Sequence, residues 1–407
     1  MQALADLDLY HLHWEEPAFA ADPLPEFAKA RARHPWIARC DAGYVVFAYQ
    51  AIRDLLVQDD KLRPSFDGIV EIMGAQGSPW GRFTDEQMIA LPEKEHALMR
   101  NTFAAKFTPR YANQLRPIMR ETMDRLLREW LPRRRIDFEE FASYYPVAVI
   151  TQMIGAPLEA IPALRKSMEA IGLGVSMDPT RLPELDAAVL HLEAFSEELI
   201  AGRRANPKPE GAPEDLLDML MTASDEGGIS HRQLVDLLIF LFVAGYDTSK
   251  NVFTYMMALM TRHPDIYRRC AEDHEYCRKV VEEALRVFNP SSTFRFTRDE
   301  IVYRDVVIPR DTMLFFTLNM SGRDPTAFDR ADDFDPERAI DPNRRQLAFG
   351  MGRHMCLGQY IARAQLQEGI HLVARHMRDP RIAGEPGWRP FPGVWGMKGL
   401  PIEFTPA

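Results

Sequence analysis

A chain of 407 residues with 46% hydrophobic and 27% charged residues can bury a sizeable core and has an ordinary globular composition. Its net charge of −10 excludes wholesale nucleic-acid binding, though a local basic patch remains compatible with it. Four scattered cysteines, Cys40, Cys270, Cys277 and Cys356, argue against a disulfide framework and fit a reducing, cytoplasmic setting.

The first residues, Met1-Gln2-Ala3-Leu4-Ala5-Asp6, lack the basic start and apolar core of a secretory signal. No run of about 18 apolar residues predicts a membrane span. Residues 66–91 contain Gly and Met with little periodicity and read as a loop. His96 and Arg100 sit at i and i+4, on one helix face. The densest Pro/Gly stretch, 206–213, is short and reads as a loop between helices. A single domain spanning 1–407 is therefore expected. Ser230 and Gln233 form a capping box that opens a helix running to about Arg262, with Pro264 as the stop. Such a helix is on the order of 45 Å long and crosses a whole domain.

The middle of that helix reads Ala244-Gly245-Tyr246-Asp247-Thr248. Gly245 costs roughly 1 kcal/mol relative to Ala in a helix interior. Asp247 and Thr248 place polar groups where burial demands partners. A kinked core helix, with Thr248 bonded back to a carbonyl one turn earlier, accounts for this locally. Glu283 and Arg286 are i, i+3 neighbours, and 306–308 and 313–316 have the β-branched and aromatic character of strands.

Cys356 is the chemical centre of the sequence. It lies in Phe349-Gly350-Met351-Gly352-Arg353-His354-Met355-Cys356-Leu357-Gly358, before an apolar-periodic stretch, 357–371, that reads as a helix. A cysteine at a helix N-terminus feels the positive end of the peptide dipoles, which favours the thiolate. The glycines let backbone N–H groups, or a flat ligand, approach the sulfur. A thiolate so held suits axial ligation of haem iron. A buried small hydrophobe or a nucleophilic cysteine are the other readings of the loop, although no local cysteine-protease signature surrounds it.

The pattern Phe-Gly-x-Gly-x-x-x-Cys-x-Gly resembles the haem-thiolate loop of the cytochrome P-450 family, of the bacterial kind without a membrane anchor. The likeness runs through most of the chain. It implies a mainly α fold with small β-sheets, early strands within 37–47 and hairpins within 294–318. It implies haem b ligated by Cys356, with Phe349, Gly350 and Gly358 shaping the loop. Ala244-Gly245-x-Asp247-Thr248 is similar to the family's oxygen-activation groove. There Ala244 and Gly245 make room above the iron, Thr248 hydrogen-bonds the oxygen and Asp247 relays protons. Glu283, Arg286 and Arg338 match a structural triad. His96, Arg100, Arg295 and His354 match the haem-propionate partners.

The resemblance further implies a hydrophobic pocket under a mobile lid at 168–179. Ile72, Trp80, Phe83, Phe240, Val243, Thr293, Phe294, Val394 and Trp395 are its candidate lining, with Ser292 and Ala244 beside them. The implied activity is monooxygenation of a terpenoid, norisoprenoid or aromatic compound by a monomer. Electrons would come from a [2Fe-2S] ferredoxin and its reductase. Arg100, Lys106, Arg110, Arg344, Arg345 and Arg353 would form the docking patch, giving a steeply salt-dependent transfer. A haem-thiolate sensor without turnover, and a helical scaffold without cofactor, are the rival readings.

Overall fold

The computed structural model describes residues 1–339 and 341–407. Helices dominate. Those that shape the site are α1 (Pro79–Glu86), α2 (Glu93–Phe103), α3 (Phe138–Ile154), α4 (Ile161–Gly172), α5 (Leu182–Ala205), α6 (His231–Arg262), α7 (His274–Val287) and α8 (Gln359–His376). The capping box forms as the sequence dictates: Ser230 Oγ accepts from Gln233 N–H, and the Gln233 side chain accepts from Ser230 N–H. Pro264 opens the next helix and ends the long one at Arg262.

Helix α6 is buried over most of its length, so it is a core spine. It lies along α3, an almost wholly buried helix, and the approach is close. A Cβ on Gly245 would stand 3.0 Å from the Ile150 side chain of α3. The glycine in the polar interruption thus has a packing role against α3, beside the ligand space that the resemblance implies for it. No described helix is long and apolar enough to cross a membrane.

A five-stranded sheet flanks the helices, built from β1 (Ile37–Cys40), β2 (Gly43–Val46), β3 (Leu62–Pro64), β4 (Thr293–Thr297) and β5 (Met313–Phe316) in the order β1-β2-β5-β4-β3. Strand β4 is internal, pairing Arg295 with Leu314 on one side and Pro64 on the other. This fixes where the Arg295 side chain can reach. Val306–Ile308 also forms a strand, paired with Ile301–Tyr303.

Residues 66–91 are a correction. They fold as helix Phe66–Ile72, helix α1 and a short turn at Met88–Ala90 rather than as a loop. Ser78 caps α1 by accepting from Gly81 N–H, and Pro79 occupies its first turn. By contrast, the break at 168–179 stands: α4 stops at Gly172, and two short turns follow before α5.

Candidate active site

The loop before α8 holds Cys356 by its backbone. Cys356 N–H donates to Phe349 O at 2.8 Å, and Gly350 N–H to Leu347 O at 2.9 Å. Gly350 and Gly352 have φ of 68° and 65°, which L side chains adopt only with strain, so the loop's turn depends on them. Helix α8 begins at Gln359, two residues later than its apolar pattern suggests, and extends to His376. The N–H groups of Gly358 and Gln359 therefore point at the sulfur. Burial pushes the Cys356 thiol up, while these two N–H groups, Arg100 and Arg363 pull toward the thiolate. The Arg363 guanidinium lies 4.3 Å from the Phe349 ring centre and pairs with Glu282.

Cys356 is accessible although protein atoms crowd it on nearly every side, so its free surface faces an interior space. Ala244 is likewise exposed in the middle of a core helix, with Phe240, Val243 and Thr248 partly accessible around it. These four fall at i, i+4, i+8 and i+3 spacings, one stripe of α6.

Beside the loop, four cationic or titratable side chains converge with hardly an acid among them. His96 and His354 rings lie 4.3 Å apart. His96 is buried, and neither of its ring nitrogens has a hydrogen-bond partner among the described residues. Burial, together with Arg295, His96, Arg353 and Arg100, drives the His354 imidazole down to about 3. Burial lowers Arg295 to about 10. Arg100 donates to Met355 O at 2.6 Å, and Arg295 to Thr293 Oγ1 and Phe294 O at 2.7 Å each. Such a cluster is built for anions: a ligand with two carboxylates would satisfy the His96 nitrogens and reverse the depressed imidazole values. A soft sulfur donor next to it suits a haem carrying two propionates, so these residues fit that cofactor.

On the other flank of α6 the structure reveals partners that the sequence reading missed. Asp247 accepts from Arg389 and lies 3.0 Å from Lys250, whose ammonium is 2.7 Å from Glu139. Arg389 also reaches Glu169 on α4 at 3.1 Å. Burial alone would lift the Asp247 carboxyl; Lys250 and Arg389 outweigh it and hold it below the ordinary value. The Thr248 hydroxyl donates to Ala244 O at 3.1 Å, the back-bond of a polar residue in mid-helix. Lys250, fully buried inside an apolar helix three residues from Asp247, was the available signal. Nothing local pointed to Arg389.

The Glu283 carboxylate gathers its neighbours with a full set of bonds. Arg286 donates to both its oxygens at 2.8 and 2.7 Å, Arg338 Nε at 3.2 Å and Asp335 N–H at 3.0 Å. The two guanidiniums then saturate the carbonyls of Gly322, Ala331, Asp333 and Arg330.

The pocket candidates differ in burial. Ile72 ends its helix 41% exposed. Trp395 is core: its indole N–H donates to Ala20 O at 2.9 Å, and its ring stacks on Trp388. Trp80 and Phe83 are buried, Trp80 packing so tightly on the lid that a Cβ on Gly174 would stand 2.6 Å from its Nε1. Thr293, Phe294 and Val394 stay partly accessible; Ser291 bridges to Val394, and Phe294 meets Phe66 edge-on at 5.0 Å.

The expected docking patch is partly neutralised. Arg353 pairs with Glu93 and Asp59, Arg344 with Asp341, and Lys106 donates to Glu214 O. Arg110 and Arg345 are exposed and form no ion pair among the described residues.

Known proteins resemble this chain in sequence and fold. The Cytochrome P450 family model matches residues 176–378. A luteothin monooxygenase from Streptomyces thioluteus is 31% identical over 406 residues, 98% of this chain and 97% of that protein. A vitamin D(3) 25-hydroxylase from Pseudonocardia autotrophica is 28% identical over 402 residues, 95% of each. The crystal structure of epothilone D-bound cytochrome P450epoK shares the fold with a TM-score of 0.85 at 24% identity, covering 97% of this chain and 99% of that one. Identity of this extent over nearly the whole of two chains does not arise from composition alone, and the chain belongs to the cytochrome P450 family, as a haem b monooxygenase.

Proposed function

We propose that the enzyme, acting in the cytoplasm as a single-domain monomer, hydroxylates or epoxidises a small-to-medium hydrophobic molecule, of terpenoid, norisoprenoid or aromatic type. It uses O2 and two electrons from a [2Fe-2S] ferredoxin served by its reductase. The observation that carries the substrate class is the accessible apolar stripe Phe240, Val243 and Ala244 inside the core, with Phe294 and Val394 as further accessible apolar surface. Relatives named for luteothin and vitamin D(3) support an organic substrate of this character. The same names argue against a haem sensor without turnover.

Haem, when bound, supplies oxygen activation and the electron relay that side chains lack. Cys356 would supply the thiolate ligand, while His96, Arg100, Arg295 and His354 would hold the propionates. Ala244 keeps the long helix thin where a substrate must approach. Asp247 is held ionised between Lys250 and Arg389, so at neutral pH it carries charge and not a standing proton. Thr248 keeps its hydroxyl on the accessible side of the helix, where it can orient a proton donor.

Two results test this. With ferredoxin, reductase and substrate supplied, Thr248→Ala keeps the thiolate-type carbonyl spectrum, but product per electron consumed falls roughly 10- to 100-fold as protons are misdirected. An unchanged product yield would remove Thr248 from the chemistry. Electron transfer should change less than about tenfold between low and high salt, because steering of 10-fold or more needs uncompensated charge. Here Arg344 and Arg353, two of the five arginines of the patch, are already paired, and the chain as a whole carries a net charge of −10. A steep salt dependence would restore the basic patch.

A further inference from the structure

One side chain ties together the parts of the thiolate loop that touch Cys356. Arg363 stands four residues beyond Gln359 on α8, so its side chain leans back over the first turn of that helix. There its Nη1 donates to Gln359 Oε1 at 3.1 Å and to the Gln359 carbonyl at 3.4 Å. Its guanidinium carbon lies over the Phe349 ring, 4.3 Å from the ring centre. Both of these residues hold Cys356. Gln359 turns its N–H toward the sulfur, and the Phe349 carbonyl accepts from Cys356 N–H at 2.8 Å. Among the described residues, no other side chain bonds or stacks on both.

Arg363 is itself oriented from outside the loop. Glu282 of α7 accepts from its Nε, and Gln346 Nε2 donates to the same carboxylate at 3.3 Å. Gln346 Oε1 in turn accepts from Ala348 N–H at 2.7 Å. One carboxylate on α7 thus braces the chain entering the loop, 346–349, and the chain leaving it, 359–363. A guanidinium suits this task because it bonds, stacks and carries charge at once, which a lysine cannot do. Stability does not explain the pair: side-chain exposures of 29% for Arg363 and 37% for Glu282 leave it worth little to the fold. What it does is place a cation. Positive charge and oriented N–H groups beside a metal-bound thiolate draw electron density from the sulfur, and weaker donation favours the reduced metal.

We infer that Arg363, oriented by Glu282, is a positioning residue that sets the reduction potential of the haem by holding Phe349 and Gln359 against Cys356. The inference rests on Cys356 being the thiolate ligand, as proposed above. The two members of the pair act with opposite sign. Losing Arg363 removes a cation and frees the turn that aims the Gln359 N–H, so the sulfur donates more and the ferric state is favoured. Losing the charge of Glu282 leaves that cation uncompensated, so the ferrous state is favoured. A pair that served only the fold would move both variants one way, toward loosened haem.

A spectroelectrochemical titration of the substrate-free holoenzyme, at fixed pH and ionic strength, reads the potential directly. Arg363→Met should lower the reduction equilibrium constant about tenfold, or 59 mV for one electron. Glu282→Gln should raise it by about threefold, the size of an exposed charge pair. Arg363→Lys keeps the charge without the fork and should fall between wild type and Arg363→Met. Arg375→Met is the control, because Arg375 is exposed on the same helix about 18 Å further along, beyond the screening length. It should leave the potential unchanged, and every variant should keep the thiolate-type carbonyl band. Should Arg363→Met lose its haem, the opposite shifts of Arg363→Lys and Glu282→Gln carry the test. Equal potentials in wild type and the Arg363 variants overturn the inference, as does a fall in Glu282→Gln. So does a shift in Arg375→Met as large as that in Arg363→Met, which would make net charge the cause. A wild-type protein without the thiolate-type band would overturn it together with the assignment of Cys356, whereas an intact band with unmoved potentials rejects the role of Arg363 alone.

Discussion

Cys356→Ser is expected to yield a folded protein that has lost the red-shifted carbonyl band of thiolate-bound haem, with product formation at background. The sulfur has few packing duties: its side chain is accessible, and a Cβ placed on Gly358 would only just touch it, at 3.9 Å. Far-ultraviolet circular dichroism and the unfolding midpoint of the haem-free protein should therefore stay near wild type. The chemical loss is large because the hydroxyl of serine is far less acidic than a thiol. The N–H groups of Gly358 and Gln359, with Arg100 and Arg363, can help hold a thiolate but not create an alkoxide. Removing an outer partner of a metal ligand costs 10- to 100-fold in affinity or activity, and removing the ligand itself should exceed about 100-fold. Reduced protein is exposed to carbon monoxide and its spectrum recorded. A surviving thiolate-type band would mean that another cysteine ligates the iron, yet Cys40, Cys270 and Cys277 are all buried. That result would sink the assignment of Cys356.

The parts of the site that were legible in the sequence are those set by local chain geometry. The thiolate loop needs glycines at positive φ and a cysteine at a helix start, and both are written within ten residues. The capping box and Pro264 likewise fix the long helix from its ends. What escaped was set by distance along the chain. Arg389 meets Asp247 across 142 residues, and Arg82 meets Asp236 across 154. The basic residues proposed as a docking patch were visible, but the acids that neutralise Arg353, at Glu93 and Asp59, were not predictable as neighbours. Residues 66–91 hid two helices of seven and eight residues, too short to show periodicity and held by tertiary packing. The cap at Ser78-Pro79 was the local clue. Trp395 shows the opposite limit: an aromatic beside an accessible Val394 turns into the core, because its indole finds Ala20 O there.

Glu283→Gln should be the most destabilising conservative change in the chain. The carboxylate accepts four hydrogen bonds, from Arg286 twice, from Arg338 and from Asp335 N–H, and it is buried with Arg286. An amide of the same size presents one NH2 edge to donors that all point inward, and it leaves two guanidiniums without their counter-charge. Breaking a buried ion pair from one side costs about 3–5 kcal/mol, a large share of the roughly 5–15 kcal/mol that holds a protein folded. The damage would spread beyond that one contact. Through Arg286 and Arg338 the cluster fixes the carbonyls of Gly322, Ala331, Asp333 and Arg330, a segment that leads on toward the thiolate loop. Haem retention should therefore fall together with the denaturation midpoint. The comparison is Glu337→Gln, two residues beyond Asp335 in the same segment. Glu337 pairs with Arg269 at 2.8 Å and Lys279 at 2.6 Å, but in solvent, and the midpoint should hardly move. Urea titration of both variants, with the yield of carbonyl-binding pigment measured alongside, separates the two environments. If the two substitutions cost the same, burial is not what gives the triad its weight, and the account of how this segment carries the cysteine to the haem fails with it.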